Sequence, residues 1–135
     1  MKTVFVDSNV FLRILTKDDR SQGDRAVRLF EDAAAGALQL VTGPPVFFEI
    51  AWALARTYKD TQQAILFALR SILTYPNLTV TDAPTAQAAL ALAQERGMTY
   101  ADAYIVALAE SVQAGAIATF NRKHFEGVFD ICPLE

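Results

Sequence analysis

The chain has 135 residues, of which 53% are hydrophobic, and it carries a formal net charge of −3 at pH 7. This length and composition provide enough apolar side chains for one substantial core, so we expect a single domain over residues 1–135 and no second one. The acidic net charge argues against non-specific nucleic-acid binding through a generally basic surface, but an acidic site that binds metal cations remains compatible with a nuclease.

The cysteine count and the N-terminal segment bear on where the protein resides. Cys132 is the only cysteine, so no intrachain disulfide can form and a cysteine-based metal site is not expected. Asp7 interrupts the apolar stretch that a signal peptide would need, and no uncharged apolar run reaches the roughly 18 residues of a membrane span. We therefore expect a cytoplasmic protein with no membrane partner.

Short apolar strands alternate along the chain with segments that have helical periodicity. Gly43, Pro44 and Pro45 are expected to break the chain ahead of the third helix. In chain order we predict strand Thr3–Val6, a helix from near Val10 that Ser8 or Asn9 can cap, a helix through Ala26–Ala33, strand Leu38–Val41, helices over about Val46–Tyr58 and Thr61–Leu73, strand Leu78–Val80, helices Asp82–Arg96 and Ala101–Gln113, and strands Ala116–Thr119 and Val128–Cys132.

This alternation predicts an α/β fold with three layers, α/β/α, around a central parallel sheet of four to five strands. The connections between parallel strands should be right-handed crossovers. In such folds the ligand site lies beyond the carboxyl ends of the strands. Asp7 and Asn121 each follow a predicted strand, so both are candidates for that edge of the sheet.

Three carboxylates each stand as the only charged residue of an apolar stretch: Asp7 in TVFVDSNVFL, Glu49 in VFFEIAWALA and Asp102 in MTYADAYIVALA. A buried, unpaired carboxylate is destabilising by several kcal/mol or gives up its charge. Because none of the three stretches contains Lys or Arg, a shared hard cation such as Mg²⁺ or Mn²⁺ is a partner that would serve all three acids. His124 is the only histidine, so a zinc site is not expected.

Each of these acids also has a structural alternative. Asp7 can begin an Asp-Ser-Asn cap for the helix that it precedes. Asp102 lies three residues after Thr99, as in a capping box with Asp in place of the usual Glu or Gln. Glu49 can sit on a helix flank and reach solvent. The metal hypothesis therefore depends on the combination of the three acids.

Four motifs follow one another along the whole chain: VFVDSNVFLRIL, GPPVFFEIAWAL, YADAYIVALAE and IATFNRKHF. With them the chain resembles the PIN-domain family, and within it the VapC-like ribonuclease toxins of bacterial toxin-antitoxin pairs. The resemblance implies an acidic pocket that binds one or two Mg²⁺ or Mn²⁺ ions and hydrolyses RNA phosphodiester bonds. By position, Asp7, Glu49 and Asp102 match the first three acids of the family, as metal ligands and catalytic residues. Asn121 stands where the family commonly has a fourth acid, an aspartate.

The resemblance assigns supporting roles to small polar residues. The amide oxygen of Asn121 can coordinate a metal or position a water, but it brings no charge, so a second ion should bind more weakly. Ser8 and Thr119 resemble the hydroxyl residues that are often found beside the family's acids, where they can bind a water or steady a carboxylate. As structural alternatives, Ser8 is a helix cap and Thr119 is an ordinary strand residue.

Three basic residues lie close in sequence to the proposed catalytic residues. Arg13, Arg122 and Lys123 are candidate contacts for RNA phosphates, with ordinary solvated surface charge as the alternative. His124 is expected to be structural or exposed.

The resemblance also implies partners. They are an RNA substrate, with tRNA among the candidates, a cognate antitoxin protein that covers the pocket, and a second copy of the chain in a homodimer. Apolar helices that carry Phe47, Phe48 and Trp52, or Phe67 and Leu69, can provide such surfaces, with core packing as the alternative.

Other functions compete with this hypothesis. The main alternative is a PIN fold that binds RNA or a protein but has lost useful catalysis, with Asn121 as the trace of that loss. Asp7-Ser8-Asn9-Val10 after a strand is also similar to the start of an aspartate-phosphatase motif, but that chemistry needs a second aspartate where Asn9 stands. A receiver domain would show paired acids after the first strand and another acid at the end of the central strand, and neither is present.

Overall fold

The computed structural model describes residues 1–134, in which helices and short parallel strands alternate as the sequence predicts. This confirms the α/β fold. Glu135, the last residue of the predicted domain, lies outside the described residues. The chain divides into two compact units, Met1–Ala83 and a second unit that begins at Pro84, and each is described by itself. The single domain over residues 1–135 stays a prediction.

Within residues 1–83 the first unit has a parallel sheet and helices that pack against each other. Its elements are β1 (Lys2–Phe5), α1 (Ser8–Thr16), α2 (Arg20–Ala34), β2 (Leu38–Thr42), α3 (Pro44–Arg56), α4 (Gln62–Ile72) and β3 (Leu78–Val80). The strand order is β1-β2-β3, with Lys2 opposite Leu38 and Leu40 opposite Leu78. Because neighbouring strands are parallel, the residues that follow them leave the sheet at the same edge.

The core of the first unit contains a cluster of three aromatic rings. The ring of Phe11 on α1 lies 5.5 Å from that of Phe30 on α2 and 6.3 Å from that of Tyr75, between ring centroids. Phe30 and Tyr75 meet edge to face at 5.2 Å. Burial raises the pKa of the Tyr75 hydroxyl. Such aromatic contacts, together with the buried apolar area, hold α1 against α2.

The start of α3 differs from the sequence prediction. The helix begins at Pro44 rather than near Val46, because the first helical positions need no N–H donor and proline is therefore tolerated there. A Cβ at Gly43 would lie 2.4 Å from the hydroxyl oxygen of Thr81, so a larger residue at the junction between β2 and α3 would have to displace that side chain.

The second unit, described to residue 134, contains two helices and a pair of short strands. Its elements are α5 (Ala83–Arg96), α6 (Tyr100–Ser111), β4 (Ile117–Ala118), a 3₁₀ turn (Arg122–His124) and β5 (Ile131–Cys132). β4 and β5 pair in parallel. The five strands thus lie in a three-stranded and a two-stranded sheet. The 3₁₀ turn is an element that the sequence did not indicate. None of the helices within residues 1–134 combines the length and the apolar character needed to cross a lipid bilayer.

Candidate functional site

Asp7 lies at the junction between β1 and α1, and hydrogen bonds hold the chain in place immediately before it. The N–H of Val6 donates to the carbonyl of Val41 at 2.8 Å. The hydroxyl of the fully buried Thr42 donates to the carbonyl of Val6 at 3.0 Å. Thr42 therefore holds the backbone from which Asp7 leaves the sheet, a role that no sequence pattern indicated.

The carboxylate of Asp7 is not used as a helix cap. Asp7 occupies the N-cap position of α1 with an extended backbone, but within the described residues its side chain makes no capping hydrogen bond. The residue is exposed. The oxygens of Asp7 are thus left available for a ligand.

Ser8 and Glu49 line the same open pocket of the first unit, which has a volume of about 430 Å³. Ser8 is buried at the start of α1, and Glu49 is exposed on α3, which packs against α1. The exposure of Glu49 agrees with the helix-flank alternative, while its place in the pocket agrees with a ligand role. The pocket also has apolar walls, which include Leu12 and Trp52.

Arg13 has a partner within the first unit. Its guanidinium forms an ion pair with Asp18, whose carboxylate also accepts hydrogen bonds from the hydroxyls of Tyr58 at 2.5 Å and Thr16 at 2.9 Å. The hydrogen bond from Tyr58 is the main cause that holds the pKa of Asp18 below its ordinary value. An RNA contact by Arg13 stays a prediction, and the phosphate would have to compete with Asp18.

Asp102 and His124 contact each other in the second unit. Asp102 lies in the first turn of α6, where its N–H donates to the hydroxyl of the N-cap residue Thr99 at 3.2 Å. Its Oδ2 lies 3.1 Å from Nδ1 of His124. The side chain of Asp102 is 21% exposed, so a ligand can still reach it.

Thr119 and Asn121 shape the turn that follows β4. The N–H of Asn121 donates to the hydroxyl of Thr119 at 2.9 Å, and the carbonyl of Asn121 accepts from the N–H of His124 at 3.0 Å. Thr119 therefore steadies the backbone of Asn121. Arg122 and Lys123 are both exposed, and Arg122 lies 3.8 Å from the carboxylate of Glu126, an ion pair that solvent weakens.

The structure brings the predicted site residues together in pairs. Ser8 and Glu49 share a pocket in the first unit, and Asp102 meets His124 in the second. Among residues 1–134, no three His, Cys, Asp or Glu side chains are arranged as a group that could hold a metal ion. The contact of His124 with Asp102 was not predicted, because the two residues are far apart in sequence and no motif links them.

The comparisons with known proteins add a family match and a structural likeness. The sequence matches the family model of the PIN domain over residues 4–128. No curated protein matches the sequence. Among solved structures, the chain is similar to the crystal structure of VapBC2 from Rickettsia felis bound to a DNA fragment from their promoter, with 14% sequence identity, 100% of both chains covered and a TM-score of 0.38.

Proposed function

Because the chain belongs to the PIN domain family, whose members are generally nucleases, we propose that it is a metal-dependent endoribonuclease that hydrolyses RNA phosphodiester bonds. The observation that carries the proposal is the position and the exposure of the Asp7 carboxylate. Asp7 follows β1 after one residue, Val6, is exposed, and does not use its carboxylate to cap α1 among the described residues. An acid in this setting is free to bind a cation at the strand edge where α/β proteins place their ligands.

The donor chemistry of the proposed ligands fits Mg²⁺ or Mn²⁺. Asp7, Glu49 and Asp102 offer only carboxylate oxygens, which hard divalent cations prefer. Mg²⁺ commonly takes one or two carboxylates and keeps several waters, so it does not need a preformed cage of three protein ligands. When bound, the ion would neutralise charge on the scissile phosphate and make water a better nucleophile. The assignment of all three acids as ligands is supported by their match to the family motifs.

The other residues of the proposed site have distinct tasks. Ser8, buried beside Glu49 in the pocket, is proposed to bind a water or steady a carboxylate. Asn121 is proposed to orient a water or a phosphate oxygen through its amide, with its backbone fixed by Thr119. Neither the amide nor the hydroxyls add charge, so electrostatic stabilisation of the transition state is proposed to come from the three acids and their cation.

We propose that His124 orients Asp102, because its Nδ1 lies 3.1 Å from Oδ2 of that carboxylate and leaves the other oxygen for a ligand. We expect His124→Ala to weaken Mn²⁺ binding, measured by calorimetry, by about 10- to 100-fold. His124→Asn should restore most of the affinity, because its amide can donate from the position of Nδ1. Equal Mn²⁺ affinities of the wild type and His124→Ala would contradict this role, and unchanged thermal unfolding of the variant serves as the control.

Asn121 decides between an active nuclease and a second candidate function, a module that binds RNA or protein without useful catalysis. The missing fourth acid favours the second candidate. We expect Asn121→Asp to raise Mn²⁺ affinity at least about fivefold, because another negative charge near the ion is worth on the order of 1 kcal/mol even in water. We expect cleavage at saturating Mg²⁺ to change by less than about threefold. A large gain in cleavage by Asn121→Asp would instead indicate that the wild-type site has lost most of its catalytic activity.

The resemblance of the four motifs supports a more specific biological role. We propose a toxin of a toxin-antitoxin pair that acts in the cytoplasm on RNA such as tRNA, is covered by an antitoxin and forms a homodimer. For Phe47 and Leu69 the alternative, core packing, holds, because both side chains are fully buried. Trp52 and Phe67, which are 62% and 72% exposed, remain candidates, and Phe48 is partly buried.

The proposal is tested with the purified protein, freed of any partner, total tRNA and structured RNA fragments. We expect discrete cleavage products in Mg²⁺ or Mn²⁺ and none in EDTA, since the acids alone lack a cation to neutralise the phosphate. No cleavage with either metal, together with measurable RNA binding, would favour the binding module.

A further inference from the structure

Phe120 is the most exposed large apolar side chain within residues 1–134. It is 90% exposed, compared with 79% for the terminal Met1 and 72% for Phe67. Single exposed apolar residues are common on protein surfaces and need no explanation by themselves. Phe120 differs because of the backbone that holds it and the charges that follow it.

The backbone before and after Phe120 is held by contacts within the second unit. The residues before and after it are joined by the hydrogen bond from the N–H of Asn121 to the hydroxyl of Thr119, at 2.9 Å. The following 3₁₀ turn ends at His124, and the next residue, Phe125, is only 4% exposed and anchors the turn in the apolar interior. The exposed ring therefore projects from an ordered turn, so little conformational entropy is lost when a flat ligand stacks on it.

Basic residues follow the ring directly. The segment Phe120–His124 has the sequence FNRKH, which contains no acidic residue, and Arg122 and Lys123 are exposed. An aromatic face beside cations is the combination that binds single-stranded nucleic acids, because bases stack on the ring while phosphates meet the positive charges. The same composition is a poor match for an apolar protein surface, which would desolvate Lys123 and the ion pair of Arg122 with Glu126.

The segment also lies beside residues of the proposed catalytic site. Phe120 immediately precedes Asn121, and the turn brings His124 to 3.1 Å from the carboxylate of Asp102. Phe120 and its basic neighbours thus belong to the same turn as Asn121 and His124.

We propose that Phe120 is a stacking platform for an unpaired RNA base, with Arg122 and Lys123 binding the adjacent phosphates. The base that stacks there must be unpaired, in a loop or a single strand, because a base inside a duplex cannot offer its face to the ring. This inference rests on the proposed function, since it names the substrate of the same site.

The test measures binding of a fluorescent single-stranded oligoribonucleotide in EDTA by anisotropy, so that cleavage does not contribute. We expect Phe120→Ala to weaken binding by about 5- to 100-fold, and Phe120→Trp to bind at least as tightly as the wild type. Phe120→Leu should behave like the alanine variant, because it keeps an apolar side chain but has no ring face. Val112→Ala, which shortens another largely exposed apolar side chain of the second unit, is the matched control and should bind as the wild type does.

The dependence of RNA affinity on salt concentration distinguishes base stacking on Phe120 from phosphate binding by the basic residues. Phe120→Ala should leave the slope of log affinity against log salt concentration unchanged, whereas Lys123→Gln should reduce it by about 0.7. Binding to a duplex of the same sequence should not change in Phe120→Ala. The inference would be overturned if Phe120→Ala bound the single strand as tightly as the wild type does. It would also be overturned if this variant lost as much affinity for the duplex as for the single strand, or if it lost a homodimer while RNA binding stayed intact.

The outcomes for the inference and for the proposed function remain distinguishable. If Mg²⁺-dependent cleavage is found but Phe120→Ala leaves both binding and KM unchanged, the inference is wrong and the nuclease stands. If the stacking effect is found in EDTA but no metal supports cleavage, the stacking site is supported and the nuclease is wrong.

Discussion

Replacement of Asp7 by asparagine is expected to lower Mg²⁺-dependent cleavage of RNA by roughly 100- to 1000-fold, the scale on which a single electrostatic partner of a transition state acts. Asparagine keeps the size of the side chain and one oxygen, so the change removes charge and leaves packing intact. Asp7 is exposed and does not cap α1 in the described structure, so loss of its charge has no structural interaction to break. The cleavage rate under single-turnover conditions measures the effect.

A matched control separates this effect from a general change in surface charge. Asp60 is an exposed acid in the loop between α3 and α4, and Asp60→Asn changes the net charge by the same amount. We expect the control to cleave at the wild-type rate and both variants to unfold at the wild-type temperature. Full activity of Asp7→Asn would remove Asp7 from the site.

The substitution Phe11→Ala is expected to destabilise the first unit by about 3 to 5 kcal/mol, because the ring is fully buried and a cavity remains when it is removed. That loss is a large part of the roughly 5 to 15 kcal/mol by which a domain is stable. The ring contacts Phe30 and Tyr75, so α1 would lose much of its attachment to α2. Urea unfolding followed by the fluorescence of Trp52, the only tryptophan, measures the effect in this unit.

Two further variants show whether the loss comes from the cavity. Phe11→Leu keeps most of the apolar volume, and we expect a smaller loss of roughly 1 to 2 kcal/mol. Phe67→Ala removes an exposed ring and should change the free energy of unfolding by less than about 0.5 kcal/mol. A loss of less than about 1 kcal/mol for Phe11→Ala would show that the aromatic cluster is not an organising part of the core.

Most elements of the fold could be predicted because local pattern determines them. The run Thr3–Val6 and the run Leu38–Val41 are short, apolar and rich in β-branched or bulky residues, and both contribute strands. The helix start at Pro44 was predicted two residues late, because proline signals a break and a first helical turn equally well. The 3₁₀ turn and the pairing of two-residue strands depend on few local bonds, so the sequence carries little signal for them.

Helix α3 illustrates why burial was harder to predict than structure type. Its apolar residues surround the helix, so periodicity does not tell which face meets the core. Phe47 is fully buried while Trp52 is 62% exposed, although both belong to the same apolar run. Contacts with other elements of the fold therefore determine which of the two side chains is buried.

Residues of the candidate site could be predicted from sequence where a charged residue stands alone in an apolar stretch. Asp7, Glu49 and Asp102 were singled out as acids in apolar stretches, and the structure leaves Asp7 and Glu49 exposed and gives Asp102 a histidine partner. The contact with His124 depends on the packing of the second unit. The absence of a capping bond at Asp7, within the described residues, depends on a side-chain rotamer. Neither can be obtained from sequence spacing.

The most direct test of the proposed nuclease is a double-mutant cycle on the rate of Mg²⁺-dependent RNA cleavage, with Asp7→Asn, Asp102→Asn and the double variant. Residues that act together on one chemical step are strongly non-additive. We therefore expect each single variant to lose most of the activity, and the double variant to lose no more than about tenfold beyond either one. Losses that multiply would show that the two acids act independently, and wild-type cleavage by all three variants would contradict a nuclease built on these acids.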